Sequence, residues 1–144
     1  MHELLKGYTV ETVIPVESEE IGSMGFVNNV NYFRYFQSAI LAYTEKVGYI
    51  DHLEKTGEGI VVGSTDCKFK TPVAYPDMLH VGARATSVKD DSFVLEFCLV
   101  SEQKNTVAAE GSGVIVAYDR NKQQKMLIPQ FLKDKILESK ITAE

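Results

Sequence analysis

Residues 21–39, "IGSMGFVNNVNYFRYFQSA", change character halfway along. The first half carries the glycines and asparagines of a turn. In the second half and just beyond it, Tyr32, Phe36, Ile40, Tyr43 and Val47 recur at spacings of three or four, which places them on one face of a helix. Asn28, Asn29 and Asn31 are candidate N-caps, and Gly48 suits the left-handed position that ends a helix. A helix from Asn31 to Val47 is expected to span roughly 25 Å.

On either side of this segment the period shortens to two. From Gly7 to Val16, Tyr8, Val10, Ile14 and Val16 alternate with Thr9, Glu11 and Pro15, as in a half-buried strand. Downstream of a polar link containing "EKTGEG" come "IVVGSTDCKF", "LHVGARATSV", "SFVLEFCLVS" and "TVAAEGSGVIVAY". They are separated by "TPVAYPD", whose prolines do not suit a central ladder, by Lys89-Asp90-Asp91 and by "EQKN". A short "KMLIP" segment and a C-terminal helix carrying Phe131, Leu132, Ile136 and Leu137 complete the pattern. Strands this long must twist and curl. One long apolar helix beside a curled antiparallel sheet of about five strands buries both faces, so the expected class is α+β.

The 144 residues are 44% hydrophobic and contain no repeat or low-complexity tract, which leads us to expect one domain over residues 1–144. A net charge of -5 disfavours nucleic acid and anionic membrane surfaces as partners, since both are polyanions. No stretch resembles a signal peptide or a membrane span, so a cytoplasmic location is expected. Cys67 and Cys98 form no metal or redox spacing and read as buried free thiols. His2, His52 and His80 have no metal-ligand spacing. Gly111 and Gly113, within "EGSGV", share one strand face and allow close backbone approach there; the segment is not a nucleophile elbow.

The segment quoted first resembles the signature of the hotdog-fold thioesterases of the 4-hydroxybenzoyl-CoA thioesterase type. That signature is an acid-x-x-Gly turn, then Val-Asn-Asn and a Tyr at the start of the central helix. "DCKFKTPVAYPDMLHV" is similar to the family's second landmark, and the resemblance covers about residues 8 to 138. It implies a hotdog fold, homodimers joined edge to edge and often paired as homotetramers, and hydrolysis of an acyl-CoA or acyl carrier protein thioester at the subunit interface. It implies no cofactor beyond the coenzyme A of the substrate.

The sequence departs from that pattern at two positions, Gly22 and Phe26; the latter stands just after Gly25, where the family often has His. The family acid, usually Asp, falls three residues before Gly25, where this chain has Gly22. Thioester hydrolysis needs a polarised carbonyl and an activated water. Free N–H groups at a helix N-terminus serve the first need, and the resemblance assigns it to the main-chain N–H of Asn29. For the second, Glu20 is a candidate base, yet on an extended chain it sits about 6 to 7 Å from the usual position. Its plainer reading is an exposed carboxylate at a strand end. The enediyne polyketide thioesterases resemble this segment and also lack the acid, so its absence does not exclude cleavage.

Arg34, on the first turns of the helix, is a candidate for polarising the substrate, or an exposed helix arginine. Gly22, Ser23, Gly25, Phe26 and Asn28 are expected to line the substrate, and Lys89 to meet the coenzyme A phosphates, as basic residues near that turn often do in the family. The alternative to catalysis is an acyl-thioester binding protein that has lost its acid.

Overall fold

The computed structural model describes residues 1–143. Strand β1 (Val10–Pro15) leads through a short 3-10 turn (Ser18–Glu20) to helix α1 (Val30–Lys46) and helix α2 (Tyr49–Thr56). Strands β2 (Glu58–Phe69), β3 (Met78–Val88), β4 (Ser92–Ser101) and β5 (Thr106–Asp119) follow, then β6 (Gln124–Lys125) and helix α3 (Gln130–Ala143). The sheet runs β1-β3-β4-β5-β2, every pairing is antiparallel, and β6 adds a two-residue pair to β5. This is the hotdog fold: a curled sheet wrapped around α1.

The periodicities give the physical reason. All five residues of the predicted helical stripe are buried, and Tyr35, Ala39 and Thr44 widen it. Phe93, Leu95, Phe97 and Leu99 of β4 alternate onto the same core, where Phe97 stacks on Phe36 at 4.8 Å. Such apolar burial contributes about 25 cal/mol per Å². Gly111 makes the close approach possible, because a Cβ there would lie 2.2 Å from the Asp66 carbonyl oxygen and 2.7 Å from the Phe36 ring.

Several expectations are corrected. The residues after Gly48 form α2, which a link centred on "EKTGEG" does not anticipate; its eight residues are too few for periodicity to distinguish from a loop. Helix α1 begins and ends one residue earlier than expected, and β1 is shorter than Gly7–Val16. On α3, Leu132 and Ile136 are buried but Phe131 and Leu137 are exposed. Cys98 is buried as expected, whereas Cys67 is only half-buried; both are free thiols. No helix among the described residues is long and apolar enough to cross a membrane.

Candidate active site

The turn before α1 is held by main-chain bonds. Gly22 N–H donates to the Phe26 carbonyl at 2.8 Å and Gly25 N–H to the Gly22 carbonyl at 3.1 Å, closing a loop over residues 22–26. Gly25 has φ +87°, a conformation that glycine adopts without penalty. Val27 N–H donates to Val73, and Asn28 N–H to the Glu20 carbonyl at 2.9 Å. Asn31 Nδ2 donates to the carbonyls of both Glu20 and Asn28.

This network delivers Asn29 to the N-cap of α1 with φ -54° and no side-chain capping bond. Its own N–H has no hydrogen-bond partner among the described residues. Orphan donors at a helix start, backed by the helix dipole, favour negative charge on an oxygen placed there.

A cavity of about 570 Å³ opens at this point. One wall is the turn itself, with Gly22, Ser23, Met24, Phe26, Val27, Asn28 and Asn29; the other comprises Tyr32 of α1 and Phe69, Lys70, Thr71 and Pro72 at the end of β2. The Tyr32 and Phe69 rings meet edge to face at 4.9 Å. No lining residue is a carboxylate or an imidazole. Burial pushes the Tyr32 phenol above its ordinary pKa, with a Val73 backbone hydrogen bond pulling back, so at neutral pH it is a donor and not a base. Burial, helped by the charge of Asp66, pushes the neighbouring Cys67 thiol up to about 11, which leaves it without thiolate character.

Glu20 lies elsewhere than an extended chain implies. It closes the 3-10 turn and is buried rather than exposed, a correction that follows from chain reversal between β1 and the glycine loop. Its Oε1 accepts the Glu17 N–H at 2.7 Å, and Oε2 forms an ion pair with Arg34 Nη2. Arg34 is an exposed helix arginine, with more than half its side-chain surface accessible, whose guanidinium is tied back to the turn by this pair. Neither lines the cavity.

Of the other sequence candidates, Gly22, Ser23, Phe26, Asn28 and Asn29 all face the cavity, while Gly25 shapes the loop behind it. Lys89 is remote within the chain: Pro15, beside the turn, pairs with Met78 at one end of β3, and Lys89 follows Val88 at the other. Sequence reasoning missed Phe69, Lys70, Thr71 and Pro72 as site residues. Their signal was the proline-containing turn after "DCKF", read as a topological landmark rather than as a wall. Among the described residues, no cluster of three or more His, Cys, Asp or Glu is placed to hold a metal ion.

A helix N-terminus presented to a cavity inside a hotdog fold defines a thioesterase-type scaffold. Residues 16–136 match the family described as the thioesterase-like superfamily, and the chain belongs to it. An acyl-acyl carrier protein thioesterase of Arabidopsis thaliana, chloroplastic ATL3, is 24% identical over 128 residues, 88% of this chain and 67% of that protein. Among solved structures, the PA5185 protein of Pseudomonas aeruginosa superposes with a TM-score of 0.82 at 27% identity, covering 94% of each chain. The PA2801 protein of the same organism gives 0.79 at 29% identity, covering 90% of this chain and 98% of its own.

Proposed function

We propose that this chain hydrolyses an acyl thioester carried by coenzyme A or an acyl carrier protein. The observation that carries the reading is the unpartnered N–H of Asn29, which caps α1 and lines a cavity with aromatic walls. Water attacks the carbonyl carbon and gives up a proton to solvent while Asn29 N–H holds the developing oxyanion; collapse of the tetrahedral intermediate breaks the C–S bond and expels the thiolate, which takes a proton from solvent. Membership of the superfamily and the relationship to the ATL3 thioesterase support this reaction. With no carboxylate or imidazole lining the cavity, turnover is slower by about 10²- to 10⁴-fold than with a placed base.

The same lack favours a second reading, in which the cavity binds an acyl thioester without cleaving it. Free-thiol release from short, long and aromatic acyl-CoAs and from acyl carrier protein decides between them. Turnover above the spontaneous rate establishes the hydrolase; saturable binding without release establishes the binding protein.

The functional unit we propose is a homodimer or homotetramer. β2 is an edge strand whose Val61 and Val62 are exposed beside Phe33 and Leu41 of α1, and these residues line an apolar groove of about 530 Å³. A second copy pairing along β2 covers that groove and removes the open edge. Sedimentation of the protein as a monomer at micromolar concentration overturns this assembly.

A further inference from the structure

We propose that Lys104, assisted by Lys70, binds the phosphate of a phosphopantetheine arm at the rim of this cavity. The proposal rests on the thioester reading of the site and adds the group that recognises the carrier.

Lys104 sits on the turn between β4 and β5, far in sequence from the helix start. Its Nζ donates to the Pro72 carbonyl at 2.5 Å and lies 5.8 Å from the centre of the Phe26 ring. Pro72 and Phe26 belong to opposite walls of the cavity, so the ammonium stands where those walls meet solvent. Lys70 lines the cavity itself. An ammonium has three N–H donors, and only one of them is used by Pro72, leaving two for an anion.

The turn that carries Lys104 is fixed in place. Asp77 Oδ1 accepts the Gln103 N–H at 2.9 Å, Asp77 Oδ2 accepts from Ser101 Oγ, and Ser101 Oγ accepts the Lys104 N–H at 3.2 Å. The acids around this turn are therefore engaged: Asp77 by these groups and Glu102 by His80 at 3.0 Å. Glu110 pairs with Lys70 at 3.3 Å and offsets part of its charge, which leaves Lys104 as the principal cation. In a chain of net charge -5, attraction of an anion to this rim rests on these local lysines rather than on a general surface potential.

The test compares wild type with Lys104→Met and Lys104→Arg on one acyl group presented three ways: as the CoA thioester, on a phosphopantetheinylated carrier protein, and as the N-acetylcysteamine thioester, which has no phosphate. We expect Lys104→Met to raise KM for the CoA thioester about tenfold more than for the truncated one, with Lys104→Arg restoring most of it. The difference should shrink as salt is raised. A KM effect on both carriers assigns the shared phosphate, and an effect on one alone assigns the phosphate of that carrier. Equal losses on phosphate-bearing and truncated substrates, or no loss, overturn the proposal and reduce Lys104 to a staple on Pro72.

Calorimetric titration with free CoA and with the unacylated carrier protein keeps the two readings separable. Binding weakened by Lys104→Met without any thioester cleavage retains the rim and rejects the hydrolase. Cleavage indifferent to Lys104 does the reverse.

Discussion

On one side of the α1 N-terminus, the cavity presents glycines, amides, hydroxyls and aromatic rings; on the other, Glu20, Arg34, Glu17 and Asn31 form an ionic and hydrogen-bonded clamp. Two sets of residues that meet at one helix start thus differ in kind. The clamp engages its charges with one another and with the main chain, holding the turn that leads into Asn29. In the proposed reaction the cavity polarises with backbone dipoles, and no carboxylate or imidazole lines it. Charge near a candidate site is thus poor evidence for proton transfer until its partners are known.

Adding a carboxylate to the cavity side is the largest expected perturbation. A Cβ at Gly22 would meet only ordinary contacts, 3.7 Å from the Phe26 carbonyl oxygen and 3.9 Å from Asn28 Cβ, so a side chain can start there without a clash. Gly22→Asp is expected to raise kcat by about 10²- to 10⁴-fold in a thiol-release assay. No gain from a folded variant means that the cavity does not hold a thioester carbonyl within reach of this position.

Removing the backbone donor comes next. The Asn29 φ of -54° is compatible with a proline ring, so Asn29→Pro deletes the N–H while keeping the local angle. A loss of about 10²- to 10³-fold in kcat is expected, against a few-fold at most for Asn29→Ala, whose side chain makes no capping bond. Equal losses in the two variants would place the role in the amide side chain instead.

Breaking the clamp should be milder and symmetrical. Glu20→Gln and Arg34→Ala are each expected to lower kcat/KM about tenfold through misplacement of the loop, with the double variant no worse than either. If Glu20→Gln abolishes kcat while Arg34→Ala leaves it intact, Glu20 is the base and the division between the two sides fails.

The smallest effect lies away from both. His80 bridges Glu11 at 3.3 Å and Glu102 at 3.0 Å, and Glu11 also accepts the His2 N–H at 2.6 Å. Burial lowers the His80 pKa, but hydrogen bonds and charge from the two carboxylates outweigh it and raise the net value above 6.5. Burial likewise opposes ionisation of Glu11, yet its bonds to His2 and His80 bring it below 4.5. A raised histidine pKa contributes stability that is complete below its unfolded value and lost as pH climbs through the folded one. A lowered glutamate pKa contributes stability that is complete above its unfolded value and lost as pH falls through the folded one. Denaturant unfolding should therefore show His80→Gln costing about 1 kcal/mol between pH 4.5 and 6.5, with the difference fading at alkaline pH.

The helix stripe, the alternating strand β4 and the cavity positions of Gly22, Ser23, Phe26, Asn28 and Asn29 were legible because each depends on residue order within a short stretch. Helix α2 was not, being short and flanked by two glycines at positive φ. Glu20 was misread as exposed because an extended backbone was assumed where the chain makes a 3-10 turn. Lys89 was assigned by resemblance to a family turn; within one chain that turn lies at the far end of β3, and the resemblance puts the coenzyme A site between subunits.

Local order along the chain was enough to determine an amphipathic helix, long alternating strands and a polar cap rich in asparagine, since periodicity and capping act over a few residues. Which charges meet was decided only by the tertiary fold. Glu20 and Arg34 are joined by a chain reversal, and the β2 end and the β4–β5 turn reach the helix start through sheet pairing. Contacts between residues dozens of positions apart are fixed by the topology and register of the whole sheet, and local sequence order does not specify them.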